Sequence, residues 1–557
     1  MTQGPANLII HNAKILSMDD AQPRAEALAI RQNRIVTIGA NDDILKLAGV
    51  ATRLVDARGA TVLPGFNEAH MHIFSGSVGL TELSLFGVQG FETFARTVRA
   101  YAASKPDLAL LVAQQADYSI LGRDGPVTRH HLDRVLPDRP FLMYAPDHHT
   151  AWANTAALKA AGILEGRDVG VGNEIVMGAD GLASGELKEA NAISPVARLS
   201  QTGGRESLGV VTGRDPDSVT SEERQTDIAV IRKGLDYCAS LGITSIQNMD
   251  GNLYQLEMLE EIERDGGLPV RIRVPFHMKN FMALTEIEEK AASWRARFNG
   301  DRLRSDFVKM FADGVAESGT AFYMEDYADE PGWRGEPLFT QDHLNEIVTE
   351  ADRLGLQVAV HAIGDGAVHM ILNGYQAASE ANGRRDSRHR VEHIETALPT
   401  DFQRFAELGV VASMQPTHPP GSAGLPLEPY LSRIGEGRWP HAFAWRRLAD
   451  LGVKIVFATD WPVSPLDPMH CIQCAMTRET WKEGLPDQRL SLMETLAAYT
   501  RTSAWVEFME DRKGVLKPGY LADIVVLNGD VEAVPFDQFA TLRPIMTICD
   551  GRITYEA

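Results

Sequence analysis

Short apolar runs broken by turn-prone polar residues open the chain. Leu8-Ile9-Ile10, Lys14-Ile15-Leu16, Ala27-Leu28-Ala29-Ile30 and Arg34-Ile35-Val36-Thr37-Ile38 are separated at Asn12, Asp19-Asp20 and Gln32-Asn33, the texture of short β-strands. The same texture returns at the other end in Asp523-Ile524-Val525-Val526-Leu527, Pro544-Ile545-Met546-Thr547-Ile548 and Gly551-Arg552-Ile553-Thr554-Tyr555. Between them, eight strand-like runs alternate with helical patterns, at 61–66, 243–248, 270–278, 306–313, 357–363, 390–395, 409–415 and 454–460. That rhythm is the signature of βα units and a parallel sheet.

The expected fold class is therefore α/β: a TIM-type (β/α)8 barrel, a small β-sandwich domain formed by both termini, and an inserted subdomain. The boundaries follow from the pattern: 1–58 with 518–557 for the composite β-domain, 59–79 with 226–517 for the barrel, and 80–225 for an insertion near the barrel mouth. About 175 residues separate the first two runs, too many for one connection. Within the insertion, Phe91–Ala103 reads as a helix, 174–189 as a loop running into a helix, and 203–221 as a Gly-rich charged loop.

The length of 557 residues accommodates such a barrel with insertions. A formal net charge of −21 argues against nucleic-acid binding and against anionic membranes. No apolar run approaches a membrane span, and the N-terminus lacks a basic, then apolar, leader. Four cysteines are too few for a disulfide framework, and Cys471-x-x-Cys474 has no second pair, so both read as core thiols. A cytoplasmic location is expected.

Candidate chemistry sits at the ends of the predicted strands, where barrel enzymes place it. His70 and His72 follow the first run two residues apart, so on an extended backbone both rings reach the same side. Lys309 lies inside the apolar fourth run with Asp313 just beyond; His361, His393 and Asp460 end the fifth, sixth and eighth. Each has a plainer reading alone: a satisfied core histidine, a helix cap, a snorkelling lysine. Together they form a set that holds one or two divalent ions. A buried lysine driven neutral can add carbon dioxide and become a carbamate that bridges two ions. Asp460 would then act as general acid and base towards a metal-activated hydroxide. Histidine-rich, oxygen-containing ligation suits zinc first, with iron, manganese, cobalt and nickel as alternatives.

Asn67, His149, Trp152, Asn154 and Trp461 are the candidates for neighbouring or substrate contact. Phe74, Phe322 and Tyr323 are further aromatics expected near the mouth. Arg390 and Glu392 alternate with His393 and read as an ion pair behind the barrel; Arg478 and Arg501 could pair a substrate carboxylate, with helix-surface ion pairs as the default expectation.

This pattern resembles the metal-dependent amidohydrolase superfamily over nearly the whole chain. The resemblance rests on His-x-His after strand one, a lysine on strand four, histidines on strands five and six, an aspartate on strand eight, and a β-domain built from both ends. Residues 64–72, 149–158, 358–365 and 459–463 are similar to the amidohydrolase-3 branch that contains N-substituted formamide deformylases. The resemblance implies that His70, His72 and Asp460 bind the more buried ion, His361 and His393 the second, and a carbamylated Lys309 bridges them. It also implies a homodimer and a small-molecule amide-type substrate, an N-formyl or N-acyl amine. Ester, carbamate or cyclic amide hydrolysis, or decarboxylation, is the alternative on the same barrel; a non-catalytic metal-binding protein is the remaining one.

Overall fold

The computed structural model describes residues 4–122, 126–146 and 148–557. Eight parallel strands run in consecutive order: β1 (Phe66–Met71), β2 (Ile243–Asn248), β3 (Arg271–Arg273, resumed at Phe276–His277), β4 (Leu303–Arg304, resumed at Phe307–Phe311), β5 (Gln357–Ala362), β6 (Arg390–His393), β7 (Val411–Met414) and β8 (Ile455–Phe457). Pro275 interrupts β3 because proline has no N–H for the ladder. Both halves of β3 nonetheless pair with the matching halves of β4, Ile272 opposite Leu303 and His277 opposite Lys309. Beyond β8, the Asp460 N–H donates to His70 O at 3.0 Å and the His72 N–H donates to Trp461 O at 2.8 Å, joining the end of the last strand to the first. The arrangement is α/β of the TIM-barrel type. β2 and β5–β7 are buried at every position, as strands covered on both faces must be.

The first run, expected as one strand over 61–66, is two. Thr61–Pro64 pairs with Lys14–Leu16 and Ile524–Leu527 in a six-stranded terminal sheet. The chain then turns at Gly65, where a Cβ would lie 2.2 Å from the Thr244 side chain, and enters β1. Histidine 70 is consequently inside the strand, not beyond it. A second, four-stranded sheet (Arg34–Gly39, Ala27–Arg31, Leu8–His11, Arg53–Asp56) shares a core with the first through Leu8, Ile10, Leu28, Ile30, Val62, Ile524 and Ile548. Arg271 ties these sheets to β3: its guanidinium donates to Asp523 at 2.7 and 3.0 Å and to Asp550 at 2.9 Å.

Between β1 and β2 a six-stranded sheet carries two apolar clusters of its own. Phe91–Ser104 is helical. Residues 174–189, expected as a loop, are the strands Glu174–Met177 and Ala183–Lys188, followed by Ala190–Ala197 in a helix. Gly185 at φ 111 permits close contact with the Arg129 backbone. The expected loop at 203–221 carries short helices at Arg205–Ser207 and Leu208–Val211. All four cysteines are buried and free. No helix among the described residues is long and apolar enough to cross a membrane.

Candidate active site

The C-terminal ends of β1, β5, β6 and β8 bring His70, His72, His361, His393 and Asp460 to the floor of a cavity of about 900 Å³. Nε2 of His70 and of His72 lie 3.3 and 3.2 Å from Asp460 Oδ1. The His393 ring stands 4.8 Å from His70 and 4.5 Å from His361, centroid to centroid. His393, Ile394 and Asp460 adopt positive φ of 73, 50 and 59, conformations that cost non-glycine residues energy and cluster at functional sites. Hydrogen bonds from Ile394 N–H to Ala362 O and from Asp460 N–H to His70 O hold them.

Each ring is oriented from behind. His70 Nδ1 lies 2.6 Å from Glu392 Oε2, His72 Nδ1 bonds Asp250, and His393 Nδ1 lies 2.9 Å from Gln415 Oε1. Such partners fix ring position and raise ligand basicity in metal sites. The pair expected behind the barrel exists, since Arg390 holds Glu392, but the carboxylate also faces His70. His361 differs: its Nε2 lies 3.0 Å from Gly314 O.

Charges follow the surroundings. Burial pushes His70 down to about 4 against the pull of Asp460 and Glu392, and pushes His361 and His393 well below 6.5. All three are neutral, as ligands must be. For His72 burial is overcome by Asp250 and Asp460, which hold its proton up to about 10; a divalent ion between the same atoms would displace that proton. Burial would raise Asp460, yet His70, His72 and His393 keep it ionised far below 3.8. Lys309 is fully buried, its Nζ has no hydrogen-bond partner, and burial lowers it to about 8. An orphaned buried amine beside neutral imidazoles and an ionised carboxylate fits a divalent-metal site. Among the described residues, two groupings place ligand atoms within 4.8 Å of one another: His70, His72 and Asp460, and His393, His418 and Asp460.

Several expected contacts lie elsewhere. His149 does line the cavity, its Nδ1 2.8 Å from Glu189 and its ring 5.7 Å from His361. Asn154 does not: it caps the helix Thr155–Ala160 and bonds the backbone of Phe141, Leu136 and Arg139. Trp152 packs edge-on to Tyr118 in the core of the insertion. Trp461 packs against Tyr237 and over Gly76, whose added Cβ would meet its ring at 2.4 Å. Asn67 bonds Glu507 near the start of β1. Phe74, Phe322 and Tyr323 likewise belong to packing, and the aromatic cavity wall is Tyr118, Tyr144, Phe281, Phe311, Trp333, Phe339 and Tyr430. Arg478 is not a surface ion pair but a guanidinium among Phe443, Trp445 and Trp481. The groups sequence reasoning missed are Asp250, Gln415 and His418. Gln415 ends the predicted seventh run and Asp250 lies two residues past the second, so both carried a positional signal; His418 lies three residues past the seventh run.

A family model described as "Amidohydrolase family" matches residues 53–555. The protein LONG AFTER FAR-RED 3 of Arabidopsis thaliana is 27% identical, covering 94% of this chain and 87% of its own length. The N-substituted formamide deformylase of Arthrobacter pascens is 24% identical over 99% and 98%. The crystal structure of an uncharacterized metal-dependent hydrolase from Pyrococcus horikoshii superposes with a TM-score of 0.72 at 23% identity, over 95% of this chain and 99% of that one. With the matched region running from the terminal sheets through every strand that carries a site residue, the chain belongs to the amidohydrolase family, as a metal-dependent hydrolase of its amidohydrolase-3 branch.

Proposed function

We propose that this protein hydrolyses a linear amide-type C–N bond, that of an N-formyl or N-acyl amine. The observation that carries the reading is the convergence of His70, His72 and His393 on the ionised Asp460 at the floor of a large cavity, next to the orphaned amine of Lys309. The similarity to an N-substituted formamide deformylase supports the substrate class. His70, His72 and Asp460 would hold one divalent ion, and His393, His361 and a carbamylated Lys309 a second, with His418 as a further donor beside Asp460. Zinc is the first choice. When bound, such an ion polarises the carbonyl oxygen and lowers the pKa of water. Asp460 takes the proton from the attacking water and delivers it to the leaving nitrogen. Glu392, Asp250 and Gln415 keep the three imidazoles aimed, and the insertion sheet covers the cavity from the other side.

The division of the chain is part of the same reading: a β-sandwich from both termini, a closed barrel that begins at Gly65, and the insertion as the specificity element. The protein is taken to be a cytoplasmic homodimer. The test is metal analysis of freshly purified protein followed by release of amine from N-formyl and N-acyl amines. Metal at one to two ions per chain with amine release supports the reading. Metal with hydrolysis of esters or cyclic amides alone, or carbon dioxide release without amine, moves it to the alternatives. No metal and no rescue by zinc or manganese overturns it.

A further inference from the structure

Among the described residues, the cavity wall offers one lysine or arginine with no hydrogen bond or ion pair of its own. Of the three lysine or arginine residues lining the cavity, Lys188 pairs with Glu174 at 3.0 Å. Arg433 lies 3.6 Å from Glu330 and 3.8 Å from Asp329. Lys279, immediately beyond the end of β3, makes no side-chain hydrogen bond or ion pair among the described residues. Its Nζ sits 5.1 Å from the centre of the Phe311 ring. That ring stacks on His361 at 4.6 Å, so Lys279 stands one aromatic ring away from the candidate metal ligands. The carboxylates nearest in its field are already engaged. Glu189 bonds His149 and Thr320, each at 2.8 Å, and Asp250 bonds His72.

Keeping an ammonium half-buried without a partner is costly, and burial with the neighbouring Lys309 lowers it to about 7. A position at the mouth end of a barrel strand is where substrate contacts are made. We propose that Lys279 is a specificity-determining residue that pairs with a carboxylate on the substrate, so that the favoured amides are N-acyl or N-formyl amino acids rather than amides of plain amines. The arriving carboxylate restores the missing partner. The phenyl ring of Phe311 spaces it from the carbonyl to be cleaved. This inference rests on the amide-hydrolase reading above.

The test compares two probes that differ only in the carboxylate, N-formylphenylalanine and N-formylphenethylamine, by titration calorimetry on the full-length protein as purified. The expected result is at least about tenfold tighter binding of the carboxylate compound, equivalent to about 1.4 kcal/mol. Lys279→Met should abolish that ratio and Lys279→Arg should keep most of it. Equal binding of the two probes by the native protein, or binding of neither, overturns the proposal without any variant. A preference that survives Lys279→Met also overturns it, because the carboxylate would then be held elsewhere. Amine release is measured in parallel. Cleavage of both probes without preference leaves amide hydrolysis standing and removes the anion subsite; a Lys279-dependent preference without cleavage does the reverse.

Discussion

Nδ1 of His70 lies 2.6 Å from Glu392 Oε2, and both side chains are withdrawn from solvent. Arg390, equally buried, holds the other side of the same carboxylate and also reaches Gln247 at 2.6 Å and Ser413 at 2.8 Å. Glu392 thus transmits a fixed buried charge to a ring that must stay neutral and oriented. Glu392→Gln keeps the shape and removes the charge. We expect metal affinity to fall about 10–100-fold, as for other groups that orient a ligand from behind. Competition with a fluorescent chelator measures it. Unchanged affinity would reduce Glu392 to a partner for Arg390 alone.

A second prediction concerns stability at the junction of barrel and terminal sheets. Burial would raise Asp550, but Arg271, Asn33 and Arg302 hold it down to about 2; Asp523 is lowered as well, with Arg271 opposing its burial. A carboxyl whose folded pKa lies below its unfolded value near 3.9 contributes stability that is complete above that value. It is lost as pH falls through about 2. Arg271→Met should cost about 3–5 kcal/mol at pH 7, because it strands two carboxylates. The gap to the native protein should narrow at pH 3. Urea unfolding at the two pH values gives both numbers, and a gap independent of pH would rule out this charge cluster as the cause.

What the sequence disclosed depended on how local each signal was. His70, His72, His361, His393 and Asp460 end strands whose apolar runs are visible in isolation, so their shared location followed once a barrel was inferred. The run at 61–66 spans two strands because nothing in Thr61–Phe66 itself marks the change of sheet; only the long-range pairing of Val62 with Val526 assigns the first half to the terminal sheet. Asn154 and Trp461 failed as substrate contacts for a related reason. A helix cap and a ring packed on Gly76 have the composition of a binding site but point into protein. His418, 25 residues beyond His393 and 42 before Asp460, reaches Asp460 only through the fold.

Lys309 provides the third prediction. Its amine has no hydrogen-bond partner in the interior, which an amine tolerates poorly unless it is neutral or modified. If it carries a carbamate that bridges two ions, Lys309→Ala should reduce bound metal from about two per chain to about one and abolish amine release. Short carboxylic acids should restore part of the activity by standing in for the lost carboxylate. Elemental analysis and native mass spectrometry read the outcome. Two ions retained by Lys309→Ala would make the lysine a structural residue.

The fourth prediction isolates proton transfer from metal binding. Asp460 lies at φ 59, a region that Asn also tolerates, so Asp460→Asn preserves the backbone. It removes a charge that His70, His72 and His393 hold ionised well below 3.8 against burial, so the loss applies at every working pH. His70 and His72 still offer neutral or displaceable nitrogens to an ion. We expect turnover to fall about 10²–10⁴-fold, the range of a lost general acid and base, while at least one ion per chain stays bound. Because His72 would keep only Asp250 to hold its proton, its pKa should drop from about 10, visible by NMR of the metal-free protein. Turnover within tenfold of the native protein would show that another group moves the proton. Loss of metal together with activity would instead assign Asp460 to ion binding alone.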